Sequence, residues 1–143
     1  MKARDIMTSN VECVTREDNL TRAAQIMRDS DVGAVPVVDD ASSMRLVGMI
    51  TDRDITVRHV AGDNSDQCRV GDHMSGSVQS VRPDDDVDRV LETMKANQVR
   101  RVPVVDGERV VGIIAQADIA TEGVGDRKTG DVVEKISEPE GRR

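Results

Sequence analysis

Several groups of side chains in this 143-residue chain have types and spacings that chemistry can use. Thr51 and Asp54 stand three residues apart just after the apolar run Leu46 to Ile50. That spacing puts a hydroxyl and a carboxylate on one face of a helix's first turn. It is equally the spacing of a capping box, in which the pair satisfies the helix's own N–H groups. Asp118 has a matching context, with Ala115 in place of the threonine. Arg100-Arg101, just ahead of Val102-Pro103, suit an anion, or simple solvated charge at a strand entry. Cys13, His59, Cys68 and His73 offer four metal-ligand types, but their spacing matches no zinc signature. No metal site is therefore expected: Cys13 reads as strand core and both histidines as surface. The stretch Gly123 to Thr129 has a phosphate loop's composition without its order, since no glycine precedes Lys128 and no strand leads in. No nucleophile, base and orienting group can be assembled, so catalysis is not expected.

Composition narrows the field further. Phe, Tyr and Trp are absent, so the core must come from Val, Ile, Leu, Met and Ala, and no aromatic platform exists for stacking nucleic-acid bases. Twenty Lys and Arg against 27 Asp and Glu give a net charge of −7, the wrong sign for a phosphate-backbone binder. No apolar run approaches the roughly 18–20 residues of a membrane span, and Met1 opens no secretory pattern. Two cysteines are too few for a disulfide scaffold. The expectation is a cytoplasmic protein that engages neither nucleic acid nor membrane.

The elements that must position these groups occur twice. A shift of 67 residues lays Asp5, Met7, Val14, Asp18 and Met27 on Asp72, Met74, Val81, Asp85 and Met94. The same shift lays Val35-Pro36-Val37-Val38-Asp39 on Val102-Pro103-Val104-Val105-Asp106. Beyond the turn Asp40 to Met44 the shift falls to 64, pairing Val47-Gly48 with Val111-Gly112 and Asp54-Ile55 with Asp118-Ile119. Two such units outweigh any single motif. Each reads as a short strand (Val11 to Val14 in the first), then a helix capped by Asn19 or Asp86. A β-branched strand, a hairpin strand and a second helix from near Thr51 or Ala115 follow. A right-handed crossover makes the first two strands parallel and the hairpin adds an antiparallel third. Gly48 and Gly112 read as backbone fit. One such unit leaves a bare apolar sheet face, so two units packed sheet to sheet about a pseudo-twofold axis are expected.

At this point the chain resembles the tandem CBS-domain pair, or Bateman module. The likeness rests on the lead-in Ala3-Arg4-Asp5-Ile6-Met7, on Val32 to Asp39 with Val99 to Asp106, and on Val47 to Ile55 with Val111 to Ile119. It is similar in particular to the short stand-alone CBS pairs of bacterial hypoxic and stress responses. The implied architecture is α/β (α+β), each repeat β-α-β-β-α: repeat one over 1–61, a linker over 62–69, repeat two over 70–121, and a C-terminal helix and tail over 122–143. The resemblance implies an adenosine-type nucleotide (AMP, ADP, ATP or a relative) in the seam as a regulatory ligand, with no essential cofactor. A homodimer and an unidentified protein partner are further implications. Asp54, and Asp118 in the second copy, would then accept from ribose hydroxyls, and Thr51 would donate to ribose or phosphate. Val11, Cys13, Val35, Pro36 and Val37, with Val102 and Pro103, would wall the base. Arg100 and Arg101 would face phosphate. Of the two, the Thr51/Asp54 site is the favoured one. A ligand-free interaction module is the alternative, and an enzyme ranks last.

Overall fold

The computed structural model describes residues 1–63 and 68–121. The expected C-terminal helix and tail over 122–143 lie outside the described residues, as does the middle of the expected linker.

Each repeat nucleates on a capped amphipathic helix. Asn19 accepts the Arg22 N–H at 3.0 Å and opens α2 (Leu20–Ser30), which buries Leu20, Ala23, Ile26 and Met27. Asp86 opens α5 (Val87–Asn97) and buries Val87, Val90, Leu91 and Met94 in the same rhythm. Both helices stop on a left-handed residue, Asp31 at φ 53° and Gln98 at φ 52°, whose N–H returns to the carbonyl four residues back.

In the first sheet β2 (Val14–Thr15) runs parallel to β3 (Ala34–Val38), and β4 (Leu46–Thr51) closes it antiparallel, with Val14 opposite Val37 and Val35 opposite Ile50. In the second, β5 (Arg101–Asp106) and β6 (Arg109–Ala115) form the hairpin around Gly107, whose φ of +66° favours glycine. Val81 bridges Val104 in parallel, the counterpart of Val14 on Val37. Strand, helix, strand, hairpin strand, helix therefore recurs as expected. The first strand is displaced: Asn10 turns left-handed at φ 56°, so Val11 to Cys13 stay outside the ladder and pairing begins at Val14.

The lead-in segments pack where sequence order does not suggest. Among the described residues, one compact unit combines 1–11 with 79–107 and 111–121; the other combines 12–63 with 68–78 and 108–110. Thus α1 (Ala3–Ile6) sets Ala3 and Ile6 into the core of Val81, Val90, Met94, Val102 and Ile114. Likewise α4 (Val70–His73) sets Val70 into the core of Val14, Leu20, Val35 and Ile50. After each lead-in the chain pairs with a hairpin: β1 (Thr8–Ser9) lies along β6, and Ser75 exchanges two backbone bonds with Met49 at 2.9 and 3.0 Å. Gly48 and Gly112 permit this approach. A Cβ at Gly48 would stand 2.6 Å from the Ser75 carbonyl oxygen, and one at Gly112 would stand 2.5 Å from Met7 Sδ.

Candidate functional site

The hairpin strand of each repeat runs straight into a helix, and there the predicted polar residues gather. In the first repeat Thr51 ends β4 and caps α3 (Asp52–Asp54), which continues as a wider π-type coil over Ile55–Asp63. Thr51 Oγ1 accepts the Asp54 N–H at 3.0 Å, and Asp54 Oδ2 accepts the Thr51 N–H at 3.0 Å. The capping box is therefore built. Asp54 is 7% exposed, the one buried charged residue among those described, and its Oδ1 lies 3.8 Å from Arg58 Nε. The Gly33 carbonyl accepts the Asp52 N–H at 2.9 Å, and the Asp52 carboxylate lies over Gly33, where an added Cβ would sit 3.2 Å from Oδ2.

The second repeat keeps this geometry and changes its charge. Asp118 Oδ2 accepts the Ala115 N–H at 2.8 Å, and the Arg100 carbonyl accepts the Gln116 N–H at 2.8 Å at the start of α6 (Gln116–Thr121). Asp118 Oδ1 has no partner among the described residues. Arg100 is exposed and Arg101 half-buried at the head of β5. Arg100 and Arg101 stand at the register positions that Gly33 and Ala34 hold in the first repeat.

The apolar wall residues divide by strand alternation. Val35 and Val37 are 1% and 0% exposed and belong to the core under α2, as Val102 belongs to the core under α5. Pro36 and Pro103, on the opposite face of their strands, are also buried. Val11 and Cys13 are half-buried, and burial pushes the Cys13 thiol up to about 11.

Three of the four metal-ligand types that spacing alone set aside are brought together by the fold. His59 from the π-type coil, Cys68, and His73 from the end of α4 bring one ligand atom each within 4.8 Å of one another. The imidazoles meet edge to face at 5.6 Å, and His59 Nδ1 and His73 Nε2 are buried without a hydrogen-bond partner. Cys68 is 6% exposed, and no disulfide forms among the described residues. The histidines are thus not plain surface residues. No contiguous spacing announced them, because the three come from a helix, a connecting segment and the next repeat's lead-in. Two buried, unpartnered imidazole nitrogens beside a sulfur are the donor set of a borderline-soft cation such as Zn²⁺.

A groove of about 480 Å³ is lined by Arg16, Glu17, Arg69, Gly71 and Asp72, and none of these is a residue of either constellation. Gly71 holds the register position of Arg4, whose guanidinium pairs with Asp84 within its own unit.

The CBS-domain family model matches residues 3–58 and 70–125. The chain belongs to the CBS-domain family, and it carries two repeats. Hypoxic response protein 1 of Mycobacterium tuberculosis is 43% identical over 119 residues, covering 82% of each chain. The crystal structure of Hypoxic Response Protein I with two coordinated zinc ions aligns at TM-score 0.77 and 40% identity, over 85% of this chain and 98% of that one. CBSX2 in complex with AMP shares the fold at TM-score 0.72 and 24% identity, over 85% of this chain and 95% of that one. The chain is therefore a member of a regulatory family, and among the described residues no helix is long and apolar enough to cross a membrane.

Proposed function

We propose that this CBS pair binds an adenosine-type nucleotide at the helix starts marked by Asp118 and Asp54, and signals by a change of conformation or partner. The observation that carries the reading is Asp118 itself, whose Oδ2 accepts the Ala115 N–H while Oδ1 has no partner among the described residues, at a helix start where the Arg100 carbonyl accepts the Gln116 N–H. An ionised carboxylate there accepts from ribose hydroxyls, each charge-assisted bond contributing about 1.5–3 kcal/mol. Arg100 and Arg101 supply the countercharge for phosphate. In the first repeat, Asp54 Oδ1 takes the ribose role and Thr51 sits at its side.

In this reading the protein works in the cytoplasm as a homodimer, leaves its nucleotide chemically unchanged, and needs no cofactor for its fold. The AMP held by CBSX2, a fold relative, places AMP first in the ligand panel. Calorimetry with AMP, ADP, ATP, NAD and S-adenosylmethionine tests the reading. Binding that falls about a hundredfold in Asp118→Asn supports it, since two lost bonds amount to roughly 3 kcal/mol. No heat with any of the five contradicts it and leaves a ligand-free interaction module.

A second reading concerns metal. The zinc ions of the hypoxic response protein and the three convergent donors here support a Zn²⁺ site at His59, Cys68 and His73. Bound there, zinc would act as a structural cross-link, with the thiolate form of Cys68 and the neutral imidazoles holding it. The unpartnered His59 Nδ1 and His73 Nε2 would gain a partner. Equilibrium dialysis against micromolar Zn²⁺ tests it: retention of one zinc per chain, lost in Cys68→Ser, is expected. Equal retention by the variant contradicts it.

A further inference from the structure

One side chain spans the two constellations. Arg58 sits on the π-type coil one residue before His59, with Nε 3.8 Å from Asp54 Oδ1 and Nη1 donating to the His73 carbonyl oxygen at 3.3 Å. Asp54 is desolvated, its side chain 8% exposed, and Arg58 is the cation beside it among the described residues. The carboxylate is turned away from bulk water and faces this cation, whereas Arg58 itself is 56% exposed and owes its placement to its two contacts. The second of these contacts ties the guanidinium to the backbone of a candidate metal ligand. The connection exists in one repeat: the internal register places Glu122 opposite Arg58 and Gly123 opposite His59.

We infer that Arg58 is a positioning residue for the metal site, and that Asp54 sets its position. The affinity of the His59–Cys68–His73 site for zinc thereby depends on the state of a carboxylate one helix turn away. Any ligand that takes Asp54 Oδ1 competes with Arg58 for that oxygen, loosens its hold on the His73 carbonyl, and so weakens the metal site. By linkage the metal weakens that ligand by the same factor. This inference rests on the metal reading above and assigns that site a regulator within the chain.

The test is a double-mutant cycle on zinc affinity in the full chain, read by competition with a chromophoric chelator. Arg58→Met keeps the aliphatic stem and removes the guanidinium; Asp54→Asn keeps the shape and removes the charge. Each single change is expected to weaken zinc binding about tenfold, the scale of outer-shell partners at metal sites. In the Arg58→Met background, Asp54→Asn is expected to add nothing, because its effect passes through the missing group. Arg58→Lys restores part of the loss. Asp54→Asn also weakens a helix cap, and a purely structural effect of that kind would lower zinc affinity equally in both backgrounds. Additive losses, or unchanged affinity in Arg58→Met, overturn the inference and leave the metal reading standing. Failure of the unaltered chain to bind zinc overturns both.

Discussion

His73 occupies in one unit the place that Ile6 occupies in the other. Each ends a four-residue lead-in helix, and the methionine that follows returns its N–H to the helix's first carbonyl, Met7 to Ala3 at 3.0 Å and Met74 to Val70 at 2.9 Å. Ile6 is 6% exposed in an apolar cluster, which shows what the fold alone requires there. His73 instead brings a buried ring nitrogen with no partner.

The first prediction follows from that comparison. His73→Ile should leave the metal-free protein at least as stable as the parent in thermal unfolding, since an unsatisfied buried polar atom costs about 1–3 kcal/mol. It should also abolish stabilisation by zinc, which at a hundredfold excess over Kd would reach about 2.7 kcal/mol. A variant that still gains stability with zinc would remove His73 from the site.

The capping box supplies a second prediction. Asp54 Oδ2 accepts the Thr51 N–H and Thr51 Oγ1 accepts the Asp54 N–H, so Asp54→Ala and Thr51→Ala should each destabilise the chain by about 1 kcal/mol in urea unfolding without any ligand present. Asp118→Ala, which removes the bond to the Ala115 N–H, should cost about as much as Asp54→Ala. No loss in Thr51→Ala would show that the bond from the Asp54 N–H contributes nothing.

Much of this was legible from the residues. Asn19 and Asp86 announce their helices because a cap is a local event, and the β-branched runs Val35 to Val38 and Val102 to Val105 announce strands for the same reason. The doubled pattern made the repeats visible. The homes of Ala3, Ile6 and Val70 were not visible, because the side on which a lead-in packs is decided by contacts with residues distant in the chain. The metal constellation was hidden for the same reason: His59, Cys68 and His73 carry no signature until α4 folds against the first repeat. Val35 and Val37 were misleading in a different way. Their strand position was right, but alternation turns them into the helix-covered core, leaving Pro36 on the other face.

A third prediction concerns close approach. Gly48→Ala drives a Cβ to 2.6 Å from a backbone oxygen, which can yield only by moving the strand pair, so a loss of about 2–3 kcal/mol is expected. Gly112→Ala meets first the Sδ of Met7, the flexible part of a side chain, and should cost less. Equilibrium unfolding in urea checks the order; the reverse order would contradict the packing described.

Cys13 gives a pH dependence with a definite sign. Burial raises its thiol from an ordinary value near 9 to about 11, so the folded chain holds this proton where the unfolded chain releases it. The stability it contributes is fully present below pH 9 and is lost as pH rises through about 11. In a Cys68→Ser chain, reaction of Cys13 with a thiol reagent at pH 8 should run about a hundredfold slower than for an exposed cysteine and keep climbing toward pH 11. A rate that levels off by pH 9 would place the thiol in contact with water.

The central claim is that a lone carboxylate at a helix start reads the ribose of an adenosine-type nucleotide. Calorimetric titration of AMP into the full chain and into Asp118→Asn puts that claim to the most direct test. The account predicts saturable binding to the parent and about a hundredfold loss in the variant. Binding of equal strength to both, or to neither, would contradict it.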